Sequence, residues 1–256
     1  MIHLLLAIQL AQAPDTTLFP RREELIRLYT NCDESRWPSG LVDSTVPKTH
    51  DELVSGVARR RQLEAGWRRW FQERAGDSLA PTPEGAWTYP LAVRGRLVDN
   101  FRQPRAEGMH EALDIFVPRE GVEIRAPVSG IVIAAGDAWK GGWKRRVGLQ
   151  YQGDGLSRRA GNGVILFDPA SGAYFYFVHM LGGSVVVHAG DVVRAGRMLG
   201  RVGHSGNASQ PGHGRHLHFA YKVAGTGCNV DGVLVPVDPF AQVRAARTRL
   251  HARGRA

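Results

Sequence analysis

The sequence predicts a mainly β protein, an antiparallel sandwich or partly open barrel preceded by a helical N-terminal region. Two observations predict it. From Trp87 to Pro239 short runs of Val, Ile, Phe and Tyr are divided by Gly, Pro, Asp and Asn, the signature of many short strands joined by turns. Ahead of them, Leu53, Val54, Val57, Leu63, Trp67, Trp70 and Phe71 recur at roughly helical intervals.

In chain order, Met1–Ala13 is an apolar run ending in Ala11-Gln12-Ala13, the small-x-small form of a leader cleavage site. Only His3 stands where a leader carries Lys or Arg, so a buried first helix is the competing reading. A short amphipathic helix is expected at Pro20–Tyr29. Thr49 followed by Glu52 has the capping-box spacing and opens a long helix that runs to Gly76, with an Arg-rich outer face. Its tryptophans are expected to pack, with ligand binding as the alternative. Ser78–Gly85 is rich in Pro and Gly and reads as a linker. Strands are expected at Ile131–Ile133, Gly163–Phe167, Tyr174–Val178, Val185–Val187 and Leu217–Val223. From Ala241 the chain carries five arginines and no acid, either a solvated helix or tail, or a basic surface for an anionic polymer. The expected organisation is a leader over 1–13, a helical region with linker over 14–86, the β domain over 87–240 and a basic tail over 241–256.

The formal charge of +9 favours an acidic partner. No recognition helix, aromatic RNA-binding signature or Cys-rich finger is present, which argues against nucleic acid. No stretch approaches the roughly 20 apolar residues needed to span a bilayer. Cys32 and Cys228 are too few for a disulfide framework or a thiolate metal site; they form one bridge in an exported protein or are two buried small residues.

Three pieces of the β region carry chemistry as a set: His110-x-x-x-Asp114, Tyr176-Phe-Val-His179 and His216-Leu-His218. Alternation along a strand points His216 and His218 to one face and Leu217 and Phe219 to the other. His110 and Asp114 would add a nitrogen and a carboxylate oxygen, ligand types that zinc accepts. Three protein ligands with a place left for water is the count of a catalytic site, not of a closed structural one. If His110, Asp114 and His218 hold the metal, His179 and His216 remain nearby to move protons or steady an oxyanion. His204 and His213 read as loop residues, with His213 able to approach the site.

Around these boxes stand Pro90–Phe101, Ala126-Pro-Val-Ser-Gly130, Gly190–Gly196 and Leu199–Gly203. With them the sequence resembles the lysostaphin or LytM-type zinc endopeptidases of peptidoglycan over roughly Tyr89 to Val223. The resemblance implies that residues 87–240 are the peptidase domain, with Zn²⁺ on His110, Asp114 and His218 and catalytic roles for His179 and His216. It also implies an endopeptidase acting on cross-links or stem peptides of bacterial cell wall, periplasmic or extracellular, with peptidoglycan as partner. The alternative on the same fold is a non-catalytic peptidoglycan-binding or hydrolase-regulating module; a third reading is a zinc hydrolase of another peptide. Ala112 stands where the family usually has Gly, Met180 where it often has Leu, and the stretch Asp137–Asn162 is long, with tryptophans beside Lys and Arg that suit a substrate groove or a solvated basic loop.

Overall fold

The structure, a computed structural model, describes residues 50–76, 79, 82–83, 85–105, 108–139, 159–224 and 234–253. The leader, the helix expected at Pro20–Tyr29, both cysteines and most of the basic Asp137–Asn162 stretch lie outside the described residues.

The elements in order are α1 (His50–Ala75), β1 (Arg96–Leu97), β2 (Pro104–Arg105), β3 (Gly108–Met109), β4 (Leu113–Phe116), β5 (Glu123–Arg125) and β6 (Gly130–Gly136). There follow β7 (Asn162–Phe167), β8 (Tyr174–Met180), β9 (Val192–Val193), β10 (Met198–Arg201), β11 (His216–Ala224), β12 (Leu234–Val237) and α2 (Phe240–Arg253). The main sheet runs β1-β4-β11-β8-β7-β6-β9, and β12 also pairs with β11. Every pairing is antiparallel, and β1 and β9 do not meet, so the sheet is open. The first half of β11 pairs with β4 and its second half with β12. β8 lies along the opposite edge of β11.

The two faces of the sheet bury different things. On one, Leu113, Ile115, Val164, Leu166, Phe175, Phe177, Leu217 and Phe219 form the larger core with Ile124 and Leu199 of the β5–β10 ribbon, Trp87, and Val243 and Ala246 of α2. On the other, Ile165, Phe167, Tyr174 and Val178 meet Phe71, Ala75 and Trp67 of α1. Both helices therefore earn their stability by covering the sheet, at roughly 1.5–3 kcal/mol for each large apolar side chain fully buried.

The apolar stripe of α1 is narrower than its sequence pattern. Leu63 and Trp70 are exposed, whereas Glu64 is buried and accepts hydrogen bonds from Tyr174 Oη (2.7 Å) and Arg60 Nε (3.1 Å). Trp70 instead donates its indole N–H to Gly190 O (2.9 Å), with the Arg74 guanidinium over its ring. Val185–Val187 is not a strand: turns at Gly182–Gly183 and Ala189–Gly190 bracket it, and Val186 N donates to Leu199 O (3.1 Å) while Val185 N is drawn to the Asp137 carboxylate. Much of the basic end is α2, docked through Val243, Ala246 and Leu250. Arg249 donates to the carbonyls of Gly85 and Trp87, and Arg247 to that of Gly95, so these two charges fasten the helix.

Candidate metal centre

The antiparallel register of β4 and β11 sets Asp114 directly opposite His218. His110 enters from the loop after β3. There the turn Asn100–Gln103, with Arg102 in the left-handed region at φ 58°, brings the Asn100 carbonyl within 2.9 Å of His110 Nδ1. His216, two residues before His218, shares its face as alternation requires. Its ring lies 5.2 Å from Phe116.

His179 reaches this face by a different device. Alternation along β8 would send it with Phe175 and Phe177 into the larger core. At φ 64° it is one of two non-glycine residues in the left-handed region among those described, and the turn of its backbone sets its ring 5.1 Å from that of His216 and 5.4 Å from that of His218. Ser205 secures the turn: its carbonyl is 2.9 Å from His179 Nδ1, and its hydroxyl donates to Met180 O and accepts from Asn162 N. All five sequence-predicted residues thus converge. His213 is exposed, and its carbonyl contacts the His204 ring.

The donor geometry is specific. His110 Nε2, His218 Nδ1 and Asp114 Oδ1 stand 3.2 Å from one another on all three sides. A tetrahedron with that edge has its centre about 2.0 Å from each corner, the length of a zinc bond to nitrogen or carboxylate oxygen. His110 donates its Nδ1 proton to Asn100 O, so the neutral ring turns a lone pair toward Asp114 Oδ1. Only a charged ring or a cation between them relieves that meeting. Two nitrogens and one carboxylate oxygen are a zinc donor set, and the residues present fit the ion. His179, His216 and His218 form a second group close enough to share one.

Burial works to raise the Asp114 carboxyl, but hydrogen bonds and charge from His110 and His218 outweigh it and hold it well below the usual carboxylate range. Burial pulls His218 down to about 4 against the opposing pull of Asp114. Burial also lowers His216, and it lowers His179 far below its ordinary value with further push from His218 and His216. These three imidazoles are neutral near pH 7, as ligands and proton acceptors must be.

Two contributors carry no motif in the sequence. Asn100 is buried and donates through Nδ2 to Asp114 Oδ2 (2.9 Å), accepts Asp114 N on Oδ1 (3.1 Å), and supplies the carbonyl that fixes the His110 tautomer. Arg105 adds a second donor to Asp114 Oδ2 at 2.9 Å, leaving Oδ1 aimed at the histidines. Asn100 lies inside the quoted stretch Pro90–Phe101, but only the fold shows its side chain turned to a carboxylate 14 positions away.

Residues 108–230 match the model of Peptidase family M23. This span is an M23 peptidase domain. It contains all five converging residues, whereas Asn100 and Arg105 precede it. Among solved structures, one described as a peptidase M23 from Pseudomonas aeruginosa is 23% identical, with 73% of this chain and 60% of that chain covered and a TM-score of 0.41. One described as a glycyl-glycine endopeptidase LytM from Ruminococcus gnavus is 22% identical, covering 64% and 61%, with a TM-score of 0.47. Lysostaphin from Staphylococcus simulans is 23% identical, covering 60% and 50%, with a TM-score of 0.39. The chain therefore spans between 50% and 61% of the length of these three proteins. No curated protein matches it.

Proposed function

We propose that the chain is a zinc-dependent endopeptidase that hydrolyses peptide cross-links or stem peptides of bacterial peptidoglycan, acting outside the cytoplasm. The observation that carries the proposal is the equilateral 3.2 Å triangle of His110, Asp114 and His218 beside two neutral histidines. His110, Asp114 and His218 would hold the metal. Zinc bound there would bring the pKa of a coordinated water to about 7 and polarise the scissile carbonyl.

The remaining steps belong to the chain. His179 donates its Nδ1 proton to Ser205 O and His216 donates its own to Gly214 O, which leaves Nε2 of each ring unprotonated. One such nitrogen can take the proton of the attacking water, and that ring, then charged, can donate to the developing oxyanion and pass the proton on to the departing amine. Asn100 and Arg105 orient the Asp114 carboxylate and keep its second oxygen engaged. His218 is the open side of the triangle, its side chain 27% exposed against 5% for His110 and 2% for Asp114, so a peptide enters past it. The glycyl-glycine specificity in the name of one structural neighbour is one class of bond to test.

The test is digestion of purified sacculi by the full chain, with and without a chelator, and mass spectrometry of the soluble fragments. Chelator-sensitive release of peptide fragments is expected. Intact sacculi under a zinc-loaded protein that still binds them would replace the enzyme with a wall-binding module, and cleavage of other peptides alone would move the substrate elsewhere.

A further inference from the structure

The sheet face that presents His218 continues past the histidines to α1. Along β11 that face carries His216, His218, Ala220 and Lys222, and on β8 Val178 lies opposite His218, Tyr176 opposite Ala220 and Tyr174 opposite Lys222. Tyr174 is where α1 lands: its hydroxyl donates to Glu64 at 2.7 Å and its ring is 6.3 Å from that of Trp67. Lys222 lies four residue steps along β11 from His218, about 13 Å at 3.3 Å each.

Beside this wall sits an ion pair that the mechanism does not use. Lys222 Nζ is 3.6 Å from Glu111 Oε2 and 5.4 Å from the centre of the Tyr176 ring. The side chains are 24% and 21% exposed, although Oε1 of Glu111 is itself buried. Partly exposed pairs of this kind contribute little to stability. What they do offer is a fixed pattern of one positive and one negative charge on the floor of the site-bearing face.

Resting on the peptidase reading, we propose that Lys222 and Glu111 are a specificity subsite for the end of the peptide substrate, a residue bearing both a free carboxylate and a free ammonium. The carboxylate would meet Lys222 and the ammonium Glu111. A group with a single charge gains one attraction and suffers one repulsion from a pair this close, whereas a zwitterion gains both. The contact of Glu64 with Tyr174 bounds the floor on the β8 side at the level of Lys222, and a terminal residue is what carries a free carboxylate. The distance corresponds to three or four extended residues between the cut bond and that end.

The experiment uses the full zinc-loaded chain and three peptides with one scissile bond and a terminal lysine four residues away: free, with its carboxylate amidated, and with its side-chain amine acetylated. The parent is expected to favour the free peptide by at least about tenfold in kcat/KM, carried by KM. Lys222→Gln should erase the preference over the amide, and Glu111→Gln that over the acetylated peptide, with zinc content unchanged. Equal use of all three peptides by the parent overturns the subsite, as does full preference retained by both variants. Calorimetric binding of the same peptides separates the two readings: no cleavage overturns the peptidase, while a tenfold binding preference supports the subsite and equal binding overturns it. If a variant fails to fold, the three peptides on the parent still decide.

Discussion

At the scale of single residues, ligands and proton-handling groups should part company on mutation. Asp114→Ala and His218→Ala are expected to lose zinc and hydrolysis together, because each removes a corner of the donor triangle. His179→Ala and His216→Ala should keep most of the metal and lose roughly 10²- to 10⁴-fold in turnover. Elemental analysis beside a peptide-release assay reads both quantities, and loss of zinc from His179→Ala as complete as from His218→Ala would make His179 a ligand. Asn100→Ala should weaken zinc by about 10- to 100-fold, since it frees the Asp114 carboxylate and disturbs the segment that fixes His110. Competition with a chromogenic chelator measures this without recourse to activity. The five site residues were legible because their types and order are unusual, and the His216–His218 pair followed from alternation alone. The placement of His179 did not: strict alternation predicts the opposite face, and only its left-handed backbone brings it round. Asn100 was silent for another reason, since an asparagine beside an aromatic carries no chemical signal until its partner is known.

Elements raise a different set of expectations. Phe71→Ala should destabilise the protein by about 3–5 kcal/mol, the usual cost of emptying a buried aromatic site, and urea unfolding followed by tryptophan fluorescence would show it. A change below about 0.5 kcal/mol would mean that α1 does not rest on the sheet in solution. Gly161 has φ +70° and faces the backbone of Ser205 and Gly206, so Gly161→Ala adds about 1–2 kcal/mol of backbone strain to a steric clash. Its midpoint should fall accordingly, and turnover should fall further because Ser205 holds the His179 ring. Long, apolar strands such as β7 and β8 were plain in the sequence. The two-residue strands β1, β2, β3 and β9 were not, because pairing over so short a length is decided by neighbours and not by local composition. The helical stripe of α1 was read too broadly for a similar reason. Periodicity marks which residues share a face, and docking angle decides which of them are covered, so Glu64 went in and Trp70 stayed out.

For the whole molecule, the charge of +9 makes the proposed binding to an anionic wall polymer a salt-dependent quantity. Co-sedimentation with sacculi should decline steadily between 50 and 500 mM salt, a range over which the screening length shortens from about 14 to about 4 Å. Retention that ignores salt would place recognition in short-range contacts alone.

The chain also wraps its sheet. α1 lies on the histidine-bearing face, Thr82 accepts a hydrogen bond from Ser129 N, Trp87 is buried on the opposite face, and α2 pins the passing backbone at Gly85, Trp87 and Gly95. This strap enters the site at Asn100, ahead of the span that defines the family. A fragment trimmed to residues 108–230 would therefore carry every histidine of the centre and still be a poor receptor for zinc. It would bare the aromatic floor under α1 and the core under α2, and it would lack the amide that aims Asp114. Recognisable ancestry and autonomous folding have different borders in this protein, and a protease that nicked the strap between Ala86 and Arg94 is expected to lower zinc affinity while leaving His110, Asp114 and His218 uncut.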